Sequence, residues 1–271
     1  MTLTELREKP HWSFSSLNSF INICSLQWAF RYLYKLESES TPVNLAFGSA
    51  FHATAEWIAK NRKDGEYVTA DDVREIFSEC WNLSCKAAEA LVLDVGEWDQ
   101  LNITGRNMVE CLNREWVEDD ITTVGKAFSV ELEGASKPLI GEIDLIVKNN
   151  TRNVVLIDWK TSARKWPADK ADKDLQATCF SYAWTQLTGS LPGFRYDVIT
   201  KKKEPSYTQH YTFRNSDDFQ RLNTLVKTVE KAVKAEAFLP NEQGFYCNGC
   251  QYASACKEWH RAQSKLISIA A

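Results

Sequence analysis

Between residues 127 and 160 three short β-branched runs alternate with turn-forming segments, and two of these runs carry carboxylates at positions where apolar residues are expected. The runs are Ala127–Glu133, Leu139–Lys148 and Val154–Lys160, separated by Gly134–Pro138 and Asn149–Asn153. This punctuation predicts a meander of strands. Asp144 interrupts the apolar run Gly141-Glu142-Ile143-Asp144-Leu145-Ile146-Val147, and the third run ends in Ile157-Asp158-Trp159-Lys160-Thr161. Side chains alternate across a strand, so Asp158 and Lys160 share a face. Burying a carboxylate or an ammonium is costly unless something pairs with it. If the two strands form a hairpin, Asp144 and Asp158 converge, and a divalent cation is the usual relief for two adjacent carboxylates. Oxygen ligands favour Mg2+ or Mn2+, ions that orient a phosphodiester and activate water. Lys160 would then orient the water or stabilise charge developing on the phosphate. Spacing alone also fits a surface salt bridge between Asp158 and Lys160.

The flanking sequence predicts the layers around this meander. Leu17, Phe20, Ile21, Cys24 and Trp28 recur at helical spacing over residues 15–36, with Ser13 or Ser15 as cap. A second helix is expected from about Gly48 through His52, Glu56 and Trp57, and two or three more in the acidic stretch Asp71–Asp120. After the meander come a helix from Lys170 to Leu187, strands Arg195–Thr200 and Tyr207–Phe213 around a Lys201–Pro205 turn, and a helix capped by Asp217 that ends near Ala235. The last forty residues read as a cysteine-bearing loop and a short helix. The order implies an α/β fold, a mixed sheet flanked by helices with an N-terminal helical segment. A single domain is expected over 1–271, with a mainly helical part at 1–125, a catalytic sheet core at 126–215 and a C-terminal helix with cysteines at 216–271.

With 44% apolar and 25% charged residues, disorder and collagen-like repeats are excluded. No apolar run approaches the ~20 residues of a membrane span, and residues 1–10 lack the apolar core of a secretory signal. A soluble, intracellular and cytoplasmic protein is the expectation, with viral or prokaryotic origin plausible. The net charge of −4 hides an asymmetry: residues 64–120 hold 15 acidic and 4 basic side chains, so the rest of the chain is net positive. Nucleic acid could be held there; a solvated face on acidic helices explains the asymmetry equally well. Of eight cysteines, Cys80, Cys85, Cys111 and Cys179 are scattered and read as small buried apolar residues. Cys247, Cys250 and Cys256 form a C-x2-C-x5-C cluster, which in an intracellular chain reads as metal binding before disulfides.

Together these residues resemble the RecB-like exonuclease branch of the PD-(D/E)xK nuclease superfamily, and are similar in particular to its iron–sulfur members such as the CRISPR-associated exonucleases. The resemblance spans residues 13–258. It implies that Asp144, Asp158 and Lys160 are catalytic, and that His52, in Gly48-Ser49-Ala50-Phe51-His52, joins Asp144, Asp158 and the Trp159 backbone carbonyl in holding Mg2+ or Mn2+. It places Gln176, in Asp174-Leu175-Gln176, near the nucleic acid. Four residues beyond, where relatives have Tyr, this chain has Phe180, with Tyr182 two further on. Glu131 is an additional candidate on the first strand. The resemblance also adds Cys24 to Cys247, Cys250 and Cys256 as ligands of a structural [4Fe–4S] cluster that joins the two chain ends, although Cys24-Ser25 lacks the proline of many relatives. Four thiolates bind zinc as well, and spacing does not choose between the metals.

For the substrate, Arg164, Lys165 and the Lys201-Lys202-Lys203 turn are candidate phosphate contacts, and Trp159 or Trp166 candidate stacking partners for an unpaired base. The implied function is a metal-dependent DNA exonuclease acting on single strands or DNA ends. Recombination, replication, repair or CRISPR adaptation proteins are the implied partners. The alternative is a non-cleaving DNA-binding or assembly module that keeps the fold and the four-cysteine site; intact Asp144, Asp158 and Lys160 favour the enzyme.

Overall fold

The carboxylate-bearing runs do form the centre of a mixed sheet. The computed structural model describes residues 1–88, 91, 93–117 and 120–270, with side chains up to residue 262. The chain begins with α1 (Leu3–Arg7), held by a capping box between Thr2 and Glu5, and the two-residue strand β1 (Trp12–Ser13). The single helix expected over 15–36 is broken. Ser13 caps α2 (Phe14–Asn18), which unwinds through a π-helical turn at Ser19–Ile23 into extended backbone at Cys24. There the Cys24 sulfur caps the next short helix, α3 (Ser25–Trp28), which passes into a second π-turn at Ala29–Leu33. The helical spacing of Leu17 and Trp28 survives the break, and both side chains are buried.

Pro42 opens α4 (Val43–Lys63), five residues before the expected start, because Ala46 and Phe47 already face the core. The acidic stretch folds into α5 (Ala70–Ala87) and α6 (Val95–Glu115), capped by Thr69 and Asp94. Its residues 89, 90, 92, 118 and 119 lie outside the described residues. Gly105 lets α6 close on α5, since a Cβ there would sit 1.8 Å from the Phe77 ring.

The strands are β2 (Asp120–Val130), β3 (Leu139–Lys148), β4 (Val154–Ser162), β5 (Gly193–Thr200) and β6 (Tyr207–Phe213). Strand β2 begins seven residues before the expected Ala127, in a polar, threonine-rich segment with a register shift between Ile121 and Thr123. Between β4 and β5 the expected helix is split at Asp174, whose extended backbone separates α7 (Lys170–Lys173) from α8 (Leu175–Thr188). After β6, α9 (Ser216–Lys234) is capped by Asn215, not Asp217: the Asn215 side chain accepts from both Asp217 and Asp218 N–H groups. A 3-10 turn at Phe245–Cys247 leads to α10 (Ala253–Ala270), which is longer than the short helix expected.

Strand β2 fills one edge of β3 along its length, antiparallel. The other edge is shared: β1 pairs in parallel at Leu139 and Ile140, and β4 pairs antiparallel from Leu145 to Lys148. Strand β5 continues the sheet parallel to β4, and β6 closes it antiparallel. One core, containing Leu17, Trp28, Phe180 and Phe194, packs the sheet against α2, α3, α8 and α9. The other, containing Phe47, Phe51, Phe77 and Trp81, packs it against α4, α5 and α6. Cys111 and Cys179 are buried as expected, whereas Cys80 and Cys85 are only partly so. Among the described residues no helix is long and apolar enough to cross a membrane.

Candidate active site

Strands β3 and β4 stop pairing in mid-course. Their last pair is Leu145 with Ile157, and Asp144 and Asp158 are the next residue on each strand. Where the ladder would have continued, the Trp159 backbone N–H donates to Asp144 Oδ2 at 3.1 Å. A side-chain carboxylate thus satisfies a backbone donor freed by the split, which explains how an acid is tolerated inside an apolar run.

Side chains from both layers fill the split. From α4, His52 Nδ1 lies 3.1 Å from the same Asp144 oxygen. From α8, Gln176 reaches both partners of the D-x-K pair: its Nε2 donates to Asp158 Oδ1, and its Oε1 accepts from Lys160 Nζ at 2.7 Å. Lys160 Nζ is also 2.7 Å from Asp158 Oδ2. Gln176 is itself fixed by Asp174, the α8 cap, which accepts from its backbone N–H. Asp158 is 2% exposed, while the His52 side chain keeps 37% of its surface open. The cluster is buried but has a mouth.

The charges are strongly linked. Burial pushes the Asp158 carboxyl up to about 6, aided by Asp144, against the attraction of Lys160 and His52. Burial also opposes the charge on Asp144, but His52 and Lys160 hold that carboxyl below the usual range. His52 and Lys160 are each raised despite burial, by Asp144 and by Asp158 respectively. Two neighbouring acids driven in opposite directions are a mark of functional sites.

Two oxygen-bearing acids, a ring nitrogen and a strand-end carbonyl are suitable donors for a hard divalent cation. Asp158 Oδ2 is ion-paired yet is a buried oxygen with no well-formed hydrogen bond, so the donor set fits such an ion. Among the described residues, no group of three or more His, Cys, Asp or Glu side chains is gathered closely enough to hold a metal ion as it stands. Sequence reasoning missed two neighbouring carboxylates, Glu56 and Glu142, whose oxygens flank Gly125 at 3.4 and 3.2 Å from where its Cβ would lie. The signal was present: Glu56 follows His52 by one helical turn, and Glu142 shares the Asp144 face of β3.

Other expected residues lie elsewhere. Tyr182 is buried and donates to the Glu131 carbonyl, packed on Phe219, so it lies in the core behind α8. Glu131 follows the end of β2, six residues beyond Gly125, a distance of about 20 Å along a strand. Trp159 is 1% exposed and unable to stack on a base. Gln176 braces the acid and lysine within the cluster. Lys201 is half-buried, with Nζ 4.3 Å from the Phe47 ring centre and 2.8 Å from Asn44 Oδ1, and burial lowers it to about 8. Its backbone N–H donates to Ser162, so the lysine turn lies beside the end of β4. Lys202, Lys203, Arg164 and Lys165 are exposed.

The four cysteines face one cavity, but among the described residues they form no group that could already hold a metal ion. Cys24, Cys247, Cys250 and Cys256 line one cavity of about 280 Å3, together with Gln27 and His260. The Cys24 sulfur accepts the Gln27 backbone N–H at 3.4 Å, and burial with the other thiols nearby pushes Cys250 and Cys256 up. Backbone and side-chain bonds from Ser25 to Leu239, Asn241 to Ile23 and Ser254 to Glu39 stitch the two chain ends around it.

The model of the PD-(D/E)XK nuclease superfamily matches residues 11–257. No curated protein matches. A crystal structure described as a "putative exonuclease" from Eubacterium rectale aligns over 91% of this chain and 90% of that one, with a TM-score of 0.57 and 14% identity, which shows a shared fold. The structure of SSO0001 covers 93% of this chain and 90% of that one at 12% identity, but its TM-score of 0.43 supports no argument. With a family match over nearly its whole length, and an acid pair and D-x-K lysine gathered at the split of a mixed sheet, the chain belongs to the PD-(D/E)XK nuclease superfamily.

Proposed function

We propose that the protein is a metal-dependent DNA exonuclease that hydrolyses phosphodiester bonds from single strands or DNA ends, and that its four cysteines hold a structural [4Fe–4S] cluster. One observation carries the first part: in a chain of this superfamily, His52, Asp144, Asp158 and Lys160 meet in one buried cluster with an open mouth. His52, Asp144, Asp158 and the Trp159 carbonyl would hold Mg2+ or Mn2+, which supplies electrophilic polarisation of the phosphate and a more acidic water. Asp144 is kept ionised by His52 and so stays ready as a donor. Lys160 supplies a fixed positive charge for the anion that develops on phosphorus, and Gln176 keeps its ammonium aimed while holding Asp158 in place. In this reading the exposed Arg164, Lys165, Lys202 and Lys203, in the segments that follow β4 and β5, meet phosphates of the bound strand.

For the cluster reading, the support is the shared cavity and its donor chemistry: four thiols, one of them already accepting a backbone N–H, fit a soft metal centre. The test is an anaerobic preparation incubated with end-labelled single- and double-stranded DNA in Mg2+, Mn2+ or EDTA, with iron and sulfide measured on the same sample. Divalent-dependent shortening from an end, with about four iron and four sulfide per chain, is expected. Protein that cuts nothing in any metal removes the nuclease reading, and zinc without sulfide removes the cluster.

A further inference from the structure

Next to the cluster, on the α8 side of the sheet, the loop after β4 lays Trp166 across neighbouring strands. Its ring is 5.0 Å from Tyr196 and 5.7 Å from His210, both measured between ring centres. Tyr196 is fully buried, and Lys160 Nζ lies 5.8 Å from its ring, so one aromatic side chain separates Trp166 from the D-x-K lysine. Trp166 and His210 are both partly exposed, Arg164 and Lys165 precede Trp166 in the same loop, and all three cations Arg164, Lys165 and Lys170 are exposed. The Lys170 ammonium lies over the Trp166 ring at 4.1 Å.

Trp166 packs against the core through Tyr196, yet it stays partly exposed. The part of the ring that the core leaves open is met by the exposed Lys170, a cation held over an aromatic face at the surface. We infer that Trp166, with His210 beside it, is a stacking platform for an unpaired base of single-stranded DNA, with Lys170 and Arg164 meeting the adjoining phosphates. This reading rests on the proposed nuclease function and narrows its substrate to a single strand near the site. Base stacking is the stronger contact, and an exposed cation–π pair the weaker, so an arriving base displaces the Lys170 ammonium toward phosphate. Duplex DNA keeps its bases stacked within the helix and offers none to the ring. Asp158, Tyr196 and His210 are register partners on three adjacent strands. Two strand spacings are about 10 Å, which places the platform close enough for the same single strand to reach both it and the cluster.

The test measures binding of labelled oligothymidylate in EDTA, so that nothing is cut, for wild type, Trp166→Leu and His210→Ala. Leu fills much of the ring's volume without stacking. Trp166→Leu should weaken single-strand binding about 5- to 150-fold and leave blunt duplex binding unchanged, with a smaller loss for His210→Ala. An abasic-site scan on the wild-type protein needs no variant: one position should cost a similar factor, and Trp166→Leu should lose nothing further there. Equal losses for single-stranded and duplex DNA, or no loss in Trp166→Leu, would overturn the platform while leaving the nuclease reading intact. Absence of any DNA binding by wild type would instead sink the nuclease reading with it.

Discussion

The carboxylate cluster and the cysteine cavity are built in opposite ways. At the cluster, every charged side chain already has a protein partner: Asp144 holds His52 and the Trp159 N–H, and Gln176 ties Asp158 to Lys160. These groups rise from paired strands and long helices, so their positions are fixed before any ligand arrives. At the cavity, Cys247 is exposed in a 3-10 turn, Cys250 lies in a loop, and Cys24 sits at a break between two short helices. The flanking segments are tied to one another by hydrogen bonds from Ser25, Asn241 and Ser254, but among the described residues no ion pair or hydrogen bond joins one of these thiols to another. The contrast teaches that the first site is preorganised by the fold, whereas under the proposed cluster reading the second is completed by the metal it takes up. Removing a ligand from the first should cost chemistry, and from the second should cost stability.

The largest expected effect breaks the comparison at its chemical end. Asp144→Ala and Asp158→Ala should each lower cleavage at least about a thousandfold, the several kcal/mol that a metal-held phosphate represents, with DNA binding largely kept. Lys160→Ala should lose cleavage without losing the metal, as calorimetric Mn2+ titration would show. Near-normal degradation by any of the three removes that residue from the site.

At the structural end, Cys24→Ala, Cys247→Ala, Cys250→Ala or Cys256→Ala should each lose iron and melt at lower temperature. A crosslink spanning the 223 residues from Cys24 to Cys247 removes on the order of 5 kcal/mol of unfolded-chain entropy as an upper guide. Cys80, Cys85, Cys111 and Cys179 should tolerate Ser with iron unchanged. A Cys24→Ala protein with full iron would detach the N-terminal segment from the cavity.

Gln176→Ala sharpens the notion of preorganisation. It should cost about 10- to 100-fold in kcat, the range for partners that orient metal ligands, with little change in KM for DNA. A rise in KM alone would return Gln176 to the substrate-contact role read from the sequence.

A subtler consequence concerns pH. Asp158 is raised to about 6 in the fold, so the folded protein binds this proton more tightly than the unfolded chain does. Without metal, its contribution to stability is therefore greatest below the ordinary carboxyl range and declines as pH rises toward about 6. A divalent cation prefers the ionised form, so Mn2+ should raise the melting temperature more at pH 7 than at pH 5, and cleavage at limiting Mn2+ should fall as the pH is lowered. Equal Mn2+ shifts at both pH values would contradict the burial of that charge. The smallest effect lies at the rim: replacing Lys202 and Lys203 should flatten log K against log salt by up to ~0.7 per lost phosphate contact, whereas Lys201→Ala should chiefly lower stability, because it packs on Phe47.

Much of this was legible in the sequence. The limits of β3 and β6 follow from β-branched runs bounded by turns, and Asp144 and Asp158 stand out because a carboxylate is costly in such runs. The pieces that escaped depend on tertiary geometry. Cys24 breaks a helix whose apolar spacing continues unbroken, so periodicity could not reveal the cut. Asn215 outcompetes Asp217 as a cap because its side chain reaches two N–H groups at once. Tyr182 has the composition of a substrate contact and the position of a core residue; only the packing of α8 on β2 and α9 decides which. Lys201 looks like its two neighbours in a lysine run, yet α4 covers it.

The separation of the two sites is tested most directly by assaying Asp158→Ala beside wild type from matched anaerobic preparations, measuring iron, sulfide and single-turnover degradation of end-labelled single-stranded DNA in Mn2+. The expected result is wild-type iron and sulfide in the variant with no shortening of the DNA. A variant that still cuts, or one that has lost its iron, would contradict the account.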